Sequence, residues 1–296
     1  MSNIARSLLP TLLASSLLPP TLAQQSNRSS TDNCPRALRD IVDDRTAFNS
    51  TGSASFRLGQ NEDWFLSYSL TDRRHEFFNS GQFVTVQSLE VYLSVPELFI
   101  GTEQGNNTRF CMYMMPGRNE TSDDEAGNDV GSCSGILSDE CIQAMRDVPP
   151  PEDGNCPQAD IREQCGFGTL VGRGAPSNFS DPTCTVNGVP SVDLPEDYRT
   201  YGGFTGTHLM PPDPDKATFE VYDLRVRQPV PMLITSRRGG SGESDSAVVC
   251  LAPSNVTEGS REPEGDFPPS AASSLNLKGS VVWGLALVGL TGYILL

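Results

Sequence analysis

Residues 64–73 read WFLSYSLTDR, and the alternation in this stretch decides the fold class. Trp64, Leu66, Tyr68 and Leu70 recur at every second position, with Phe65, Ser67 and Ser69 between them, a period that only an extended strand turns into one apolar face. Working outward, Phe56 and Leu58 alternate upstream. Downstream, Val84 and Val86 continue the pattern, followed by Leu89, Val91, Leu93 and Val95. The phase slips between Val86 and Leu89, which predicts a bulge or turn there. Phe110, Met112 and Met114 form a further alternating set. Strand signal returns at 218–227 (TFEVYDLRVR), 230–236 and 246–252, with a Gly/Ser turn over 237–245 between the last two.

Two short helices are expected. In 35–47, Pro35 suits a first helical position and Leu38, Ile41 and Val42 share a face. In 139–147, Ser138 can cap, Asp139 and Glu140 suit the positive N-terminus, and the run Pro149-Pro150-Pro151 ends the helix. Apart from that helix, residues 116–217 are rich in Gly, Pro, Asp and Asn and show little periodicity. The expected fold is therefore mainly β: an antiparallel β-sandwich-like domain with a disulfide-rich, loop-rich insertion and one or two short helices. The alternative is two domains divided near 116–133.

Eight cysteines, Cys34, Cys111, Cys133, Cys141, Cys156, Cys165, Cys184 and Cys250, read as four disulfides of an oxidising compartment. Sequence alone leaves all 105 pairings open. There is no C-x-x-C and only two histidines, His75 and His208, so zinc has little support.

The two ends of the chain read as processing signals. Arg6, the apolar run 8–18 and the small residues before Gln24 form a signal peptide over 1–23. Domain 24–252 follows, then a polar Pro/Glu/Ser spacer at 253–270. Residues 281–296 (VVWGLALVGLTGYILL) carry no charge. As a helix they would span only about 24 Å, short of a ~30 Å hydrocarbon core. Small residues, a short spacer and an apolar tail instead match a glycosylphosphatidylinositol (GPI) attachment signal over 271–296. The attachment residue is expected at Ser270, with Ala271, Ala272 and Ser273 as alternatives, and a membrane span is the competing reading. Processing at both ends removes Arg6 and Lys278 and no acid, leaving 19 basic against 37 acidic residues and moving the formal charge from −16 to −18. So acidic a chain repels nucleic acid. Six Asn-x-Ser/Thr sequons, at Asn27, Asn49, Asn106, Asn119, Asn178 and Asn255, mark expected surface N-glycans.

Chemistry-bearing motifs are sparse. Glu90 and Glu97 are candidates for the paired carboxylates of a glycosidase. Asp123, Asp124, Glu125 and Asp129 form an acidic run without calcium-loop spacing. Position 243 is Glu, so Gly240-Ser241-Gly242 does not make a nucleophile elbow. Trp64, Tyr68, Tyr92 and Tyr113 are read as core aromatics, with sugar stacking as the alternative. No catalytic residue or metal ligand is assigned, and no cofactor is expected.

The segments WFLSYSLTDR (64–73), LEVYLSVP (89–96), Cys111–Tyr113 and CSGILSDEC (133–141) resemble fungal secreted GPI-anchored cell-surface proteins of unknown function. The resemblance implies a surface location but no activity. The expected function is a non-catalytic surface glycoprotein with a structural, adhesive or ligand-binding role. Its expected partners are the membrane, through a lipid or the C-terminal helix, and cell-wall polysaccharide or a surface protein. The alternatives are a carboxylate-dependent wall glycosidase or transglycosylase, and an accessory subunit of a membrane complex that binds its partner through 133–184.

Overall fold

The computed structural model describes residues 34–265 except 44–46, 60–62, 78–82, 116, 120–129, 153–154, 159, 167–170, 174–178, 181 and 211–218; residues 75–77, 83, 171–173 and 204–210 are described by backbone alone. Strands β1 (Ser50–Arg57), β2 (Asp63–Phe77), β3 (Phe83–Pro96), β6 (Tyr198–Met210) and β9 (Asn255–Val256) form one sheet, in the order β6-β3-β2-β1-β9. Strands β4 (Thr108–Met114), β5 (Val171–Arg173), β7 (Val230–Arg238) and β8 (Ser244–Leu251) form a second, in the order β5-β4-β7-β8. Every pairing is antiparallel.

The two sheets share one apolar core. Leu66 and Tyr68 of β2 and Val91, Leu93 and Val95 of β3 meet Phe110 and Met112 of β4 and Met232 and Ile234 of β7. This is the sandwich that the period-two pattern implies. Phe179 stands at its aromatic centre, fully buried, within 5.4 Å of the Trp64 and Tyr201 rings and stacked on Phe110 at 4.9 Å. Tyr68 is also fully buried, and its hydroxyl donates to the Val230 carbonyl at 2.9 Å, tying the sheets together.

Each sheet also buries its outer face. Over the four-stranded sheet lie α3 (Asp139–Arg146), capped by Ser138 through the Cys141 amide, and α4 (Arg162–Cys165). Leu137, Met145, Val148 and Ile161 pack there on Cys111, Tyr113 and Leu233. The disulfides are Cys111–Cys156, Cys133–Cys250, Cys141–Cys165 and Cys34–Cys184, so all eight cysteines are closed. Over the five-stranded sheet lie α1 (Arg36–Val42) and the segment 184–194. The remaining helices are α2 (Glu103–Asn107) and α5 (Glu220–Arg227), the latter closing the end of the sandwich over Leu70.

Several expectations are corrected. Residues 220–227 form a helix, not a strand. Tyr222, Asp223 and Val226 are buried at helical spacing, with Glu220 and Asp223 in the first turn and Arg225 and Arg227 in the last, which suits the helix dipole. The phase slip in β3 is not a bulge in that strand: 86–89 pair continuously with 70–73, and Val86, Gln87, Ser88 and Leu89 are all buried because β3 is covered on both faces. The bulges fall instead on β2 between Arg73 and Glu76 and on β6 opposite Glu90 and Tyr92. The loop-rich stretch 116–217 also holds regular structure beyond the expected helix, since β6 lies within it and α3 shares an apolar cluster with the sheet. The spacer expected from 253 begins as folded structure: β9 pairs with β1, and the Arg261 guanidinium holds both carboxylate oxygens of Asp223 at 3.2 Å. Residues 1–23 and 271–296 lie outside the described residues.

Candidate functional site

A pleated strand sends alternate side chains to opposite faces, so the residues between the core positions of β2 and β3 form the outer face of the five-stranded sheet. Register builds a polar ladder there. Thr51, Ser69 and Glu90 stand in one cross-strand row, and Ser53, Ser67, Tyr92 and Gly202 in the next. Ser94 faces Thr200, and their hydroxyls lie 2.8 Å apart. Ser67, Ser69, Ser94 and Thr200 are wholly buried.

What buries them is the cover. Ala37 and Leu38 of α1 join Phe48, Val189 and Tyr92 in an apolar cluster. Gly202 eases this approach, because a Cβ there would sit 3.2 Å from Leu38 Cγ and 3.3 Å from Pro35 Cβ, close enough that both would have to give by a few tenths of an ångström. The Thr51 hydroxyl donates to the Ser191 carbonyl at 2.9 Å. Cys34–Cys184 joins the two pieces of the cover to each other.

The charged group in this layer is Glu90, only 7% exposed. Burial pushes its carboxyl above the ordinary carboxylate range, and Asp40 adds to the shift. The Tyr92 hydroxyl, donating to Oε2 at 2.6 Å, works against it, as do Arg36 and Arg73. Tyr92 is in turn driven far up, first by burial and then by the adjacent Glu90 charge. The arrangement holds a proton or a buried negative charge between sheet and cover.

The glycosidase pairing of Glu90 with Glu97 is not formed. Seven residue steps at ~3.3 Å each put them on the order of 23 Å apart, Glu90 within β3 and Glu97 just past its end, against the 5–10 Å that two cooperating carboxyls need. Glu97 lies at the exposed end of β3, ion-paired with Arg199 at 3.0 Å. Trp64, Tyr68, Tyr92 and Tyr113 are all 3% exposed or less, so none offers a ring for sugar stacking. Tyr113 instead donates its hydroxyl to the Pro157 carbonyl at 3.0 Å, holding the insertion on its sheet. His75 and His208 fall on β2 and β6. Asp123, Asp124, Glu125 and Asp129 lie outside the described residues, as do Ser270, Ala271, Ala272 and Ser273. Among the described residues no three His, Cys, Asp or Glu side chains gather as a metal site, and no helix is long and apolar enough to cross a membrane.

Of the sequons, Asn119 and Asn255 are exposed, Asn106 is half-buried in α2, and Asn49 is half-buried at the start of β1; Asn27 and Asn178 lie outside the described residues. The Glu90–Tyr92 pair was not singled out from sequence, although a Glu and a Tyr two apart inside LEVYLSVP necessarily share a strand face. The chain matches no family model, no curated protein and no solved structure.

Four disulfides that close every cysteine fit a secreted, extracellular protein.

Proposed function

We propose that this chain is a non-catalytic glycoprotein of the outer cell surface, of the fungal GPI-anchored kind, with a structural, adhesive or ligand-binding role at the cell wall. The observation that carries the reading is the cover on each outer face of the sandwich, held by disulfides, which buries Tyr92 and Tyr113 where the inter-sheet core already buries Trp64 and Tyr68. This is the construction of a durable extracellular module. The composition of residues 271–296 supports lipid attachment at Ser270 or one of its three neighbours, and the exposed Asn119 and Asn255 support N-glycans.

The test is release. Intact cells expressing the full chain are treated with phosphatidylinositol-specific phospholipase C. Release of protein lacking residues 281–296 supports the reading. Protein retained with those residues still attached, as read by mass spectrometry, overturns the lipid anchor in favour of a membrane span.

A further inference from the structure

Residues 255–265 lie beyond the last disulfide, at Cys250, yet they are strapped to the domain at two places. The far end is held by α5. The Tyr222 hydroxyl donates to the Arg261 carbonyl at 2.8 Å, Arg261 pairs with Asp223, and Arg227 donates to the Glu264 carbonyl at 2.7 Å and to the Gly265 carbonyl. The near end is held by Asn49. Its backbone amide donates to the Leu70 carbonyl at 2.8 Å, and its carbonyl accepts from the Thr257 amide at 3.0 Å. Its side-chain Oδ1 accepts from the Asp72 amide at 2.6 Å, while Nδ2 donates to the Ser260 hydroxyl at 3.5 Å. One asparagine thus joins β1, β2 and the strap. Thr257 adds a hydroxyl bond to the Phe48 carbonyl.

Asn49 is also the acceptor of the sequon Asn49-Ser50-Thr51. The other two residues of that sequon are the first of β1, at most 1% exposed and paired on one side with β2 and on the other with β9. An N-glycan is built on Nδ2, the atom that meets Ser260, and it is bulky and must stand in solvent. We infer that Asn49 is the clasp of the C-terminal strap, and that an N-glycan on Asn49 and a docked strap exclude one another. A glycosylated Asn49 releases the strap 255–265, uncovers the small cluster of Leu70, Tyr222 and Val226 that Val256 packs against, and frees the edge of β1 that pairs with β9. The sequons of Asn119 and Asn255 carry no such conflict, because both residues are exposed.

The experiment uses the full chain secreted from a eukaryotic host. Glycopeptide mapping reads occupancy at Asn49, and hydrogen–deuterium exchange reads protection over 255–265 in the same preparation. Expected is a bare Asn49 with a protected strap; any Asn49-glycosylated fraction exchanges over 255–265 at least about tenfold faster, the scale of one or two lost hydrogen bonds. Asn49→Ala is expected to give the same acceleration over the strap, with the Asp72 amide that its side chain also holds as the one further site, and near-ultraviolet circular dichroism unchanged as the check that the sandwich has folded. An occupied Asn49 with a strap as protected as in the bare form overturns the inference. So does an Asn49→Ala chain whose strap exchanges at the original rate.

Discussion

On the four-stranded sheet the cover is bolted to the strands beneath it: Cys111–Cys156 starts from β4, Cys133–Cys250 ends on β8, and the contact between them is apolar. On the five-stranded sheet the single disulfide, Cys34–Cys184, joins the chain just before α1 to the 184–194 segment, and neither cysteine lies in a strand. That cover is held by hydrogen bonds and packing: a backbone bridge between Val186 and Thr200 of β6, the Thr51–Ser191 hydrogen bond, the fit of Leu38 against Gly202 and an apolar patch around Tyr92, over a layer that contains an ionisable carboxyl. A disulfide limits how far the unfolded chain can spread, whereas a polar seam is only as strong as its hydrogen bonds are complete. The two faces are therefore expected to differ in what loosens them: cleavage of its disulfides to the strands for one, ionisation of the buried Glu90 for the other.

Breaking the bolted side has the largest expected effect. Replacing Cys133 and Cys250 together by Ala, which opens a link spanning 117 residues, is expected to remove about 3–5 kcal/mol of stability in denaturant unfolding. A loss under about 1 kcal/mol would mean that the apolar contact alone secures this cover.

Next come matched truncations in the two covers. Met145→Ala empties a fully buried position in α3 and is expected to cost about 3 kcal/mol globally. Leu38→Ala, at a position 2% exposed in α1, is expected to shift the global midpoint less while raising hydrogen exchange over 36–42. Equal global shifts would show that both covers unfold with the sandwich, and the contrast would fall.

Tyr92→Phe removes the donor to Glu90 and is expected to cost about 1–3 kcal/mol at pH values above the raised Glu90 pKa, where a buried carboxylate needs that bond, and less in acid. A cost independent of pH would place the effect in packing alone.

The smallest and most specific effect is that of Glu90→Gln. Because burial raises the Glu90 pKa in the folded state, the folded chain holds this proton more tightly than the unfolded chain does. Its contribution is fully present below the ordinary carboxyl pKa and is lost as pH rises through the raised value. The wild-type chain should therefore lose stability across that window, and Glu90→Gln should flatten the profile there. A profile unchanged by the substitution would remove Glu90 as the pH-sensitive element of the seam.

The sandwich was legible because β2 and the second half of β3 each have one face apolar and one polar, which only a strand of period two can use. Helix α3 was legible from its cap and flanking prolines, local signals that act within a few residues. Strand β6 escaped notice because Gly202, Gly203 and Gly206 erase its alternation, and Gly202 is there to admit α1, a segment some 165 residues earlier in the chain. Helix α5 was misread because residues 219–226 contain apolar residues that satisfy both periods over so short a run, and burial against Leu70 decided between them. The Glu90–Tyr92 seam was visible as spacing but not as a site, since a carboxylate on a strand face is ordinary until something covers it.

By itself the sequence determined the class of the fold, the even set of cysteines that a secreted chain closes, and the composition of its two ends, because each is written in local periodicity or residue count. Only the tertiary structure decided which cysteines pair, which face of each sheet is covered and by what, and that Asn49 binds the strap. Those outcomes depend on contacts between residues 24 to more than 200 positions apart, and no local pattern encodes which distant surface a given face will meet.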